Sequence, residues 1–215
     1  MEINIDHPYT VAGKKAVKFV VRAIGYAEMS RIATSAGREA GPGEANALVR
    51  SRSIMARTKI VTEDGKTQDI EPLVLHMMPR PVAKPLLNYI NTEGDIPDDA
   101  TPEQRAAILA TVASIISDGD GLTSPILVKL GTPIAAGGAA GDKSISELEF
   151  IAKTYGDIEH VLAGSNDMEK TVALIKHVAK PVSMGLQALP SWGVDGIDIR
   201  DGFFIQNEIL PRFLE

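Results

Sequence analysis

The chain has no cysteine in its 215 residues. A disulfide framework and a thiolate metal site are therefore both excluded, zinc ribbons among them. Long apolar runs are missing as well: none approaches the roughly 18 residues that a membrane span requires. The opening MEINIDHPYT lacks the basic and apolar regions of a signal peptide, so a cytoplasmic location is expected. There is no broad excess of positive charge. Residues 1–90 carry 13 Lys+Arg against 9 Asp+Glu, net +4, whereas residues 91–215 carry 9 against 19, net −10, giving −6 overall. That balance lacks the footprint of a general nucleic-acid binder.

Familiar catalytic frames are absent too. The sequence contains no GxSxG, no HExxH, no recognisable pair of carboxylates and no cysteine nucleophile. Gly137 to Gly141, followed by Asp142-Lys143-Ser144, resembles a phosphate-binding loop but fails in detail. Asp142 stands where the glycine–lysine pair should be, and a strand pattern follows where a helix should start. His160 and His177 lack the i, i+4 spacing of a helical zinc site. Asp195, Asp198 and Asp201 are spaced by three, unlike an EF-hand loop, and read as caps and turns. No catalytic residue, metal ligand or cofactor is assigned, and a non-enzymatic protein is expected.

What is present is a globular composition, 44% hydrophobic, with an internal echo. Lys14 to Ile32 matches Lys143 to Leu162 at a shift of about 129 positions, laying Phe19 on Leu148, Val21 on Phe150 and Tyr26 on Tyr155. Val82-Ala83-Lys84-Pro85 matches Val178-Ala179-Lys180-Pro181 at a shift of about 96. The difference of about 33 is accounted for by a duplicated unit whose first copy carries an insertion. The insertion reads as a β-hairpin, with Thr58 to Val61 and Ile70 to His76 as strands around an Asp64-Gly65 turn. The expected fold is α+β, in two duplicated small units of short strands followed by helices. The first unit spans 1–120, with its hairpin insertion at about 45–78, and the second spans 121–215.

Within this plan, helices are expected at Tyr26 to Ser35, stopped by Gly37, and from Glu44 to about Met55. The second ends among Arg50, Arg52 and Arg57, where cations suit a helix C-terminus. With Lys59 and Ile60 on the hairpin, these arginines form a candidate partner-binding patch. Thr101-Pro102-Glu103-Gln104 starts a helix, and Ala106 to Ile116, apolar nearly all round, continues it. The acidic, glycine-rich Ser117 to Ser124 is the expected boundary between units. Strands at Ile126 to Leu130 and Ile145 to Phe150 precede helices at Tyr155 to Ala163 and Asp167 to Ala179. The last helix, Phe203 to Phe213, bears an apolar stripe in which Phe204, Ile205, Ile209 and Phe213 are candidate partner contacts.

Residues 126–214 resemble the tail assembly chaperone family of Mu-like tailed phages. The resemblance is carried by Leu130, Pro133, Ile134, Leu148, Asp157, Pro181, Asp201 and Phe213. Where that family often has arginine-proline after its second strand, this chain has Ala152-Lys153-Thr154-Tyr155. The resemblance implies a protein that holds the apolar tape measure protein soluble while tube subunits polymerise around it in the host cytoplasm. The alternative is a permanent component of the virion tail or baseplate. Its partners would then be tape measure, tube or baseplate proteins, with no membrane or nucleic acid involved and an oligomer possible.

Overall fold

The computed structural model describes residues 1–40, 44–92, 101–135, 144–152 and 154–214. The fold is α+β, with two antiparallel sheets. The chain separates into two compact units: residues 1–24 with 35–97, and residues 25–34 with 98–215. The division therefore runs through the first long helix and then near residue 97, and Ser117 to Ser124 lies inside the second unit.

In the first unit, β1 (Glu2–Asn4), β2 (Thr10–Val11), β3 (Lys14–Val21), β4 (Thr58–Thr62) and β5 (Thr67–Asp69) form one sheet, in which β1 and β2 both pair with β3. The β2–β3 turn has φ of 50° at Ala12 and 76° at Gly13. Positive values at both centres let a two-residue connection follow the strands' own twist. β3 does not alternate cleanly: Ala16 is buried, then Phe19 and Val21, because the register with β4 shifts between Ala16 and Lys18. The buried face meets Ile54 of α2 (Ala45–Arg57) and Val82 and Leu86 of α4 (Arg80–Thr92) in one apolar cluster.

This arrangement corrects the hairpin. The Asp64-Gly65 turn is present, with φ of 77° at Gly65, but the second strand is only Thr67–Asp69, and Pro72–His76 is a short helix, α3. Pro72 sits in its first turn, where the missing N–H costs nothing and the fixed φ starts the helix. The hairpin is also not an insertion outside the core: β4 lies between β3 and β5, with Ile60 fully buried.

The second unit has a sheet in the order β6 (Ser114–Ser117), β7 (Ile126–Ala135), β8 (Ser144–Phe150), β9 (Ala179–Pro181). Its core joins Ile126, Val128, Leu148 and Phe150 of the sheet to Val161 of α6 (Tyr155–Leu162) and Leu174 and Ile175 of α7 (Asp167–His177). Asn166 caps α7 by accepting from the Glu169 amide at 3.0 Å, as a helix start requires. The helix expected to run to Ile116 is shorter: α5 covers Pro102–Leu109 and β6 follows. The β-branched pair Ile115-Ile116 favours a pleated strand, and Ile115 stands opposite Val128. The glycine-rich loop at 137–141 lies outside the described residues.

The first helix, α1, runs through Gly37 and covers Tyr26–Glu39. The duplication does not survive the comparison of its matched residues. Tyr26 is fully buried, whereas Tyr155 is 69% exposed. Lys84-Pro85 lies inside helix α4, whereas Lys180-Pro181 lies in strand β9. What the two stretches share is local: β3 and β8 bury residues at the same uneven spacing, and each is followed by a helix.

After α8 (Ser191–Asp195) and α9 (Ile199–Phe204) the chain widens into a π-turn, Ile205–Ile209, and closes in a 3₁₀ turn, Leu210–Phe213. The Leu210 amide bonds to the Ile205 carbonyl. The widening fits a helix forced to take in Pro211, whose ring has no N–H and crowds the preceding turn.

Candidate functional site

The basic residues singled out by sequence do not converge on a partner surface. Arg50 is exposed on α2. Arg52 donates to Ser35 Oγ at 2.7 Å and pairs with Glu39, which holds the Glu39 carboxyl below its usual range through that hydrogen bond and charge. Arg57 is 4% exposed, and its Nε donates to the Arg22 carbonyl at 3.1 Å. The Arg22 amide in turn donates to the Arg57 carbonyl at 2.9 Å. Lys59 reaches Asp69 across the hairpin at 3.4 Å. Apart from Arg50, these cations tie the unit together.

The terminal stripe is corrected in the same way. Ile205 and Ile209 are wholly buried, Phe213 is 6% exposed and Phe204 packs against the same core. Sequence periodicity shows that a helix has an apolar face; here the unit's own sheet and helices cover it. Ile60, Ile205, Ile209 and Phe213 are core residues in this structure.

The aspartates of the terminal segment have separate structural duties. Asp195 pairs with Arg31 at 3.0 Å. Asp198 caps α9 by accepting from the Arg200 amide at 2.9 Å. Asp201 is fully buried and accepts from the amides of Gly131 and Thr132, both at 3.1 Å. Burial pushes its pKa up despite those amides, which favour the charged form. Asp201 thus secures the middle of β7, where the register with β8 shifts.

His160 and His177 do come together. Their rings stack with centroids 4.3 Å apart and planes 21° apart. Partial burial, followed by the charges of His160 and Lys176, lowers the His177 pKa. His177 also lines a cavity of about 380 Å³ with Ala27, Val172, Leu189 and Val194 among its apolar walls and Arg31, Lys176 and Asp195 as its other charged or titratable ones. Among the described residues, no group of three or more His, Asp or Glu side chains is placed to hold a metal ion.

The feature that periodicity did not find is a cleft in the first unit. Its volume is about 440 Å³, and its walls include Tyr9, Val11, Leu73, Val74, Met77 and Pro79. The Tyr9 hydroxyl donates to the Val74 carbonyl at 3.3 Å, joining the β2 side of the cleft to α3. Leu73 is 70% exposed and Met77 is 68% exposed. These are large apolar side chains left in water, Leu73 on the five-residue helix α3 and Met77 as its C-cap, and the helix contributes no fully buried residue of its own. The sequence signal was the cluster Met77-Met78-Pro79. Only Met78 of that pair enters the core.

No described helix is long and apolar enough to cross a membrane. In comparisons with known proteins, the chain matches no family model, no curated protein and no solved structure.

Proposed function

We propose that this chain is a non-enzymatic morphogenesis protein of a phage tail, similar in role to a tail assembly chaperone. It binds an apolar helical segment of a tail protein such as the tape measure protein. The supporting observation is the exposure of Leu73 and Met77 at the mouth of an apolar cleft. A soluble protein gains nothing in its own stability from such side chains. An amphipathic helix laid in a groove would cover them, burying about 1.5–3 kcal/mol of transfer free energy per large side chain. Methionine suits the task because its unbranched, polarizable side chain adapts to partners of differing shape. The binding face therefore moves from the buried terminal stripe to the cleft of the first unit.

The test is co-expression with the tape measure protein of the phage that encodes the chain. The wild type should hold that protein soluble and co-purify with it. The double variant Leu73→Ser, Met77→Ser should fold normally by circular dichroism and lose the effect. A tape measure protein that precipitates equally with and without the chain would defeat the reading. Mass spectrometry of purified virions separates a chaperone, absent from the particle, from a permanent tail or baseplate component.

A further inference from the structure

Three helix faces in the second unit turn toward the cavity of about 380 Å³ that His177 lines. α1 presents Ala27, Ser30 and Arg31, α7 presents Val172 and Lys176, and α8 presents Ser191, Val194 and Asp195. Each set follows the i, i+3 or i+4 spacing of a single helical face, so these side chains look into one space. Its volume lies at the small end of the roughly 300–1,000 Å³ of ligand pockets.

Ser30 is 4% exposed, and among the described residues its hydroxyl makes no hydrogen bond. A helical serine can return its hydroxyl to the carbonyl four residues earlier, as Ser51 does to Ala47 at 2.9 Å. Ser30 does not, and the little surface it keeps opens on the cavity. A buried polar group without a protein partner calls for a water or a ligand group.

The cavity is also positive within an acidic part of the chain. Residues 91–215 carry net −10, yet the charged side chains of the described lining are Arg31 and Lys176 against Asp195, a balance of +1 with His177 neutral. Asp195 is engaged by Arg31 at 3.0 Å, and both side chains are more than half exposed, which sets this pair at the rim. Lys176 forms no ion pair among the described residues. Its charge is left for a ligand that carries one negative charge.

We infer that this cavity binds a small carboxylate with an apolar body. Lys176 balances its charge, the Ser30 hydroxyl donates to a carboxylate oxygen, and Ala27, Val172, Leu189 and Val194 cover its hydrocarbon. A phosphate monoester, with nearly two negative charges, would exceed what Lys176 alone can balance. An amine would meet that lysine with like charge, and a wholly apolar ligand would leave the serine hydroxyl buried without a partner. The inference is independent of the cleft in the first unit and of the function proposed above.

Octanoate is the probe, with octylamine and 1-octanol as controls of matching length. Titrated into the full chain and followed by NMR, octanoate should bind with a dissociation constant of about 1 mM or below. It should move the amide signals of Ser30, Val172, Lys176 and Val194. Octylamine should leave them in place, and 1-octanol should bind at least about tenfold more weakly. Lys176→Gln should weaken octanoate binding about tenfold, the worth of a hydrogen bond to a charged group. Ser30→Ala should weaken it about threefold to tenfold and leave the circular dichroism and melting curve unchanged, because the hydroxyl has no partner to lose. Signals unmoved at about 10 mM octanoate, equal binding of octylamine, or wild-type affinity in Lys176→Gln would overturn the inference. So would a lower melting temperature for Ser30→Ala, which would give the hydroxyl a partner within the protein. Signals that move around Leu73 and Met77 instead would overturn it as well, by placing the ligand in the cleft of the first unit.

Discussion

A Cβ on Gly202 would lie 2.0 Å from Cγ of Tyr26, far inside any tolerable contact. The aromatic ring therefore lies directly on the backbone of α9. It is also edge-on to Phe203 at a centroid distance of 5.4 Å, and its hydroxyl donates to Gln206 Oε1. Burial pushes the Tyr26 pKa up to about 12, so it acts as a neutral donor at any physiological pH.

Gly202→Ala should thus destabilise the second unit by about 3 kcal/mol, as a buried group with nowhere to go does. Urea denaturation measures the loss. Tyr26→Ala should itself cost about 3–5 kcal/mol, and the double variant should lose clearly less than the two single losses added together, because each change removes the other's clash or cavity. Additive losses would mean that the two residues do not share that space.

Removing the buried carboxylate should be similarly costly. Asp201→Ala leaves the Gly131 and Thr132 amides without their acceptor, at about 1–3 kcal/mol per unsatisfied group. Asp201→Asn keeps one acceptor oxygen and should fall between Ala and wild type in thermal melts. Near-equal stability of Asn and Ala would show that both amides find other partners.

The histidine stack predicts a pH dependence of known sign. Because the His177 pKa is lowered on folding, the native state binds fewer protons than the unfolded chain near pH 6.5. Its contribution is complete above that pH and is lost as pH falls through the depressed native value. Melting temperature should therefore drop between pH 7.5 and 5.5, above the range where carboxylates titrate. His160→Asn, which removes the neighbouring charge, should flatten that slope. An unchanged slope would assign the dependence to other groups.

The turn at Ala12 offers the opposite kind of test. Its φ of 50° is left-handed, a region that costs a residue with a Cβ roughly 1–2 kcal/mol. Ala12→Asn should raise stability by up to about 1 kcal/mol without moving the β2–β3 register, as amide exchange can check.

Local chemistry was the legible part of this molecule. The Asp64-Gly65 turn, the Asn166 cap, the strands at Ile126 and Ile145 and the helix starts at Tyr26 and Tyr155 follow from side chains acting on their own backbone. The errors arose where a non-local partner decides. Ile115 and Ile116 fit either a buried helix or a strand until β7 supplies the pairing. The stripe from Phe204 to Phe213 is apolar whether a partner or the unit's own core covers it. The repeat misled for a related reason: a register irregularity in each sheet gives β3 and β8 the same spacing of buried residues, 3 then 2. The neighbours of those strands are otherwise unlike. The cleft escaped notice because its walls come from segments about 65 residues apart, Tyr9 and Val74.

Because the second unit begins at residues 25–34 and resumes only at residue 98, the order of synthesis matters. The first unit has all its residues once the chain reaches position 97. Tyr26 waits for Gln206, 180 positions later, which at about 5–20 residues per second is a delay of about 9 to 36 seconds. During that interval the leading half of α1 holds an aromatic ring with no pocket to enter. Nascent chains stalled before residue 206 should therefore be the species that proteases and cellular chaperones find first.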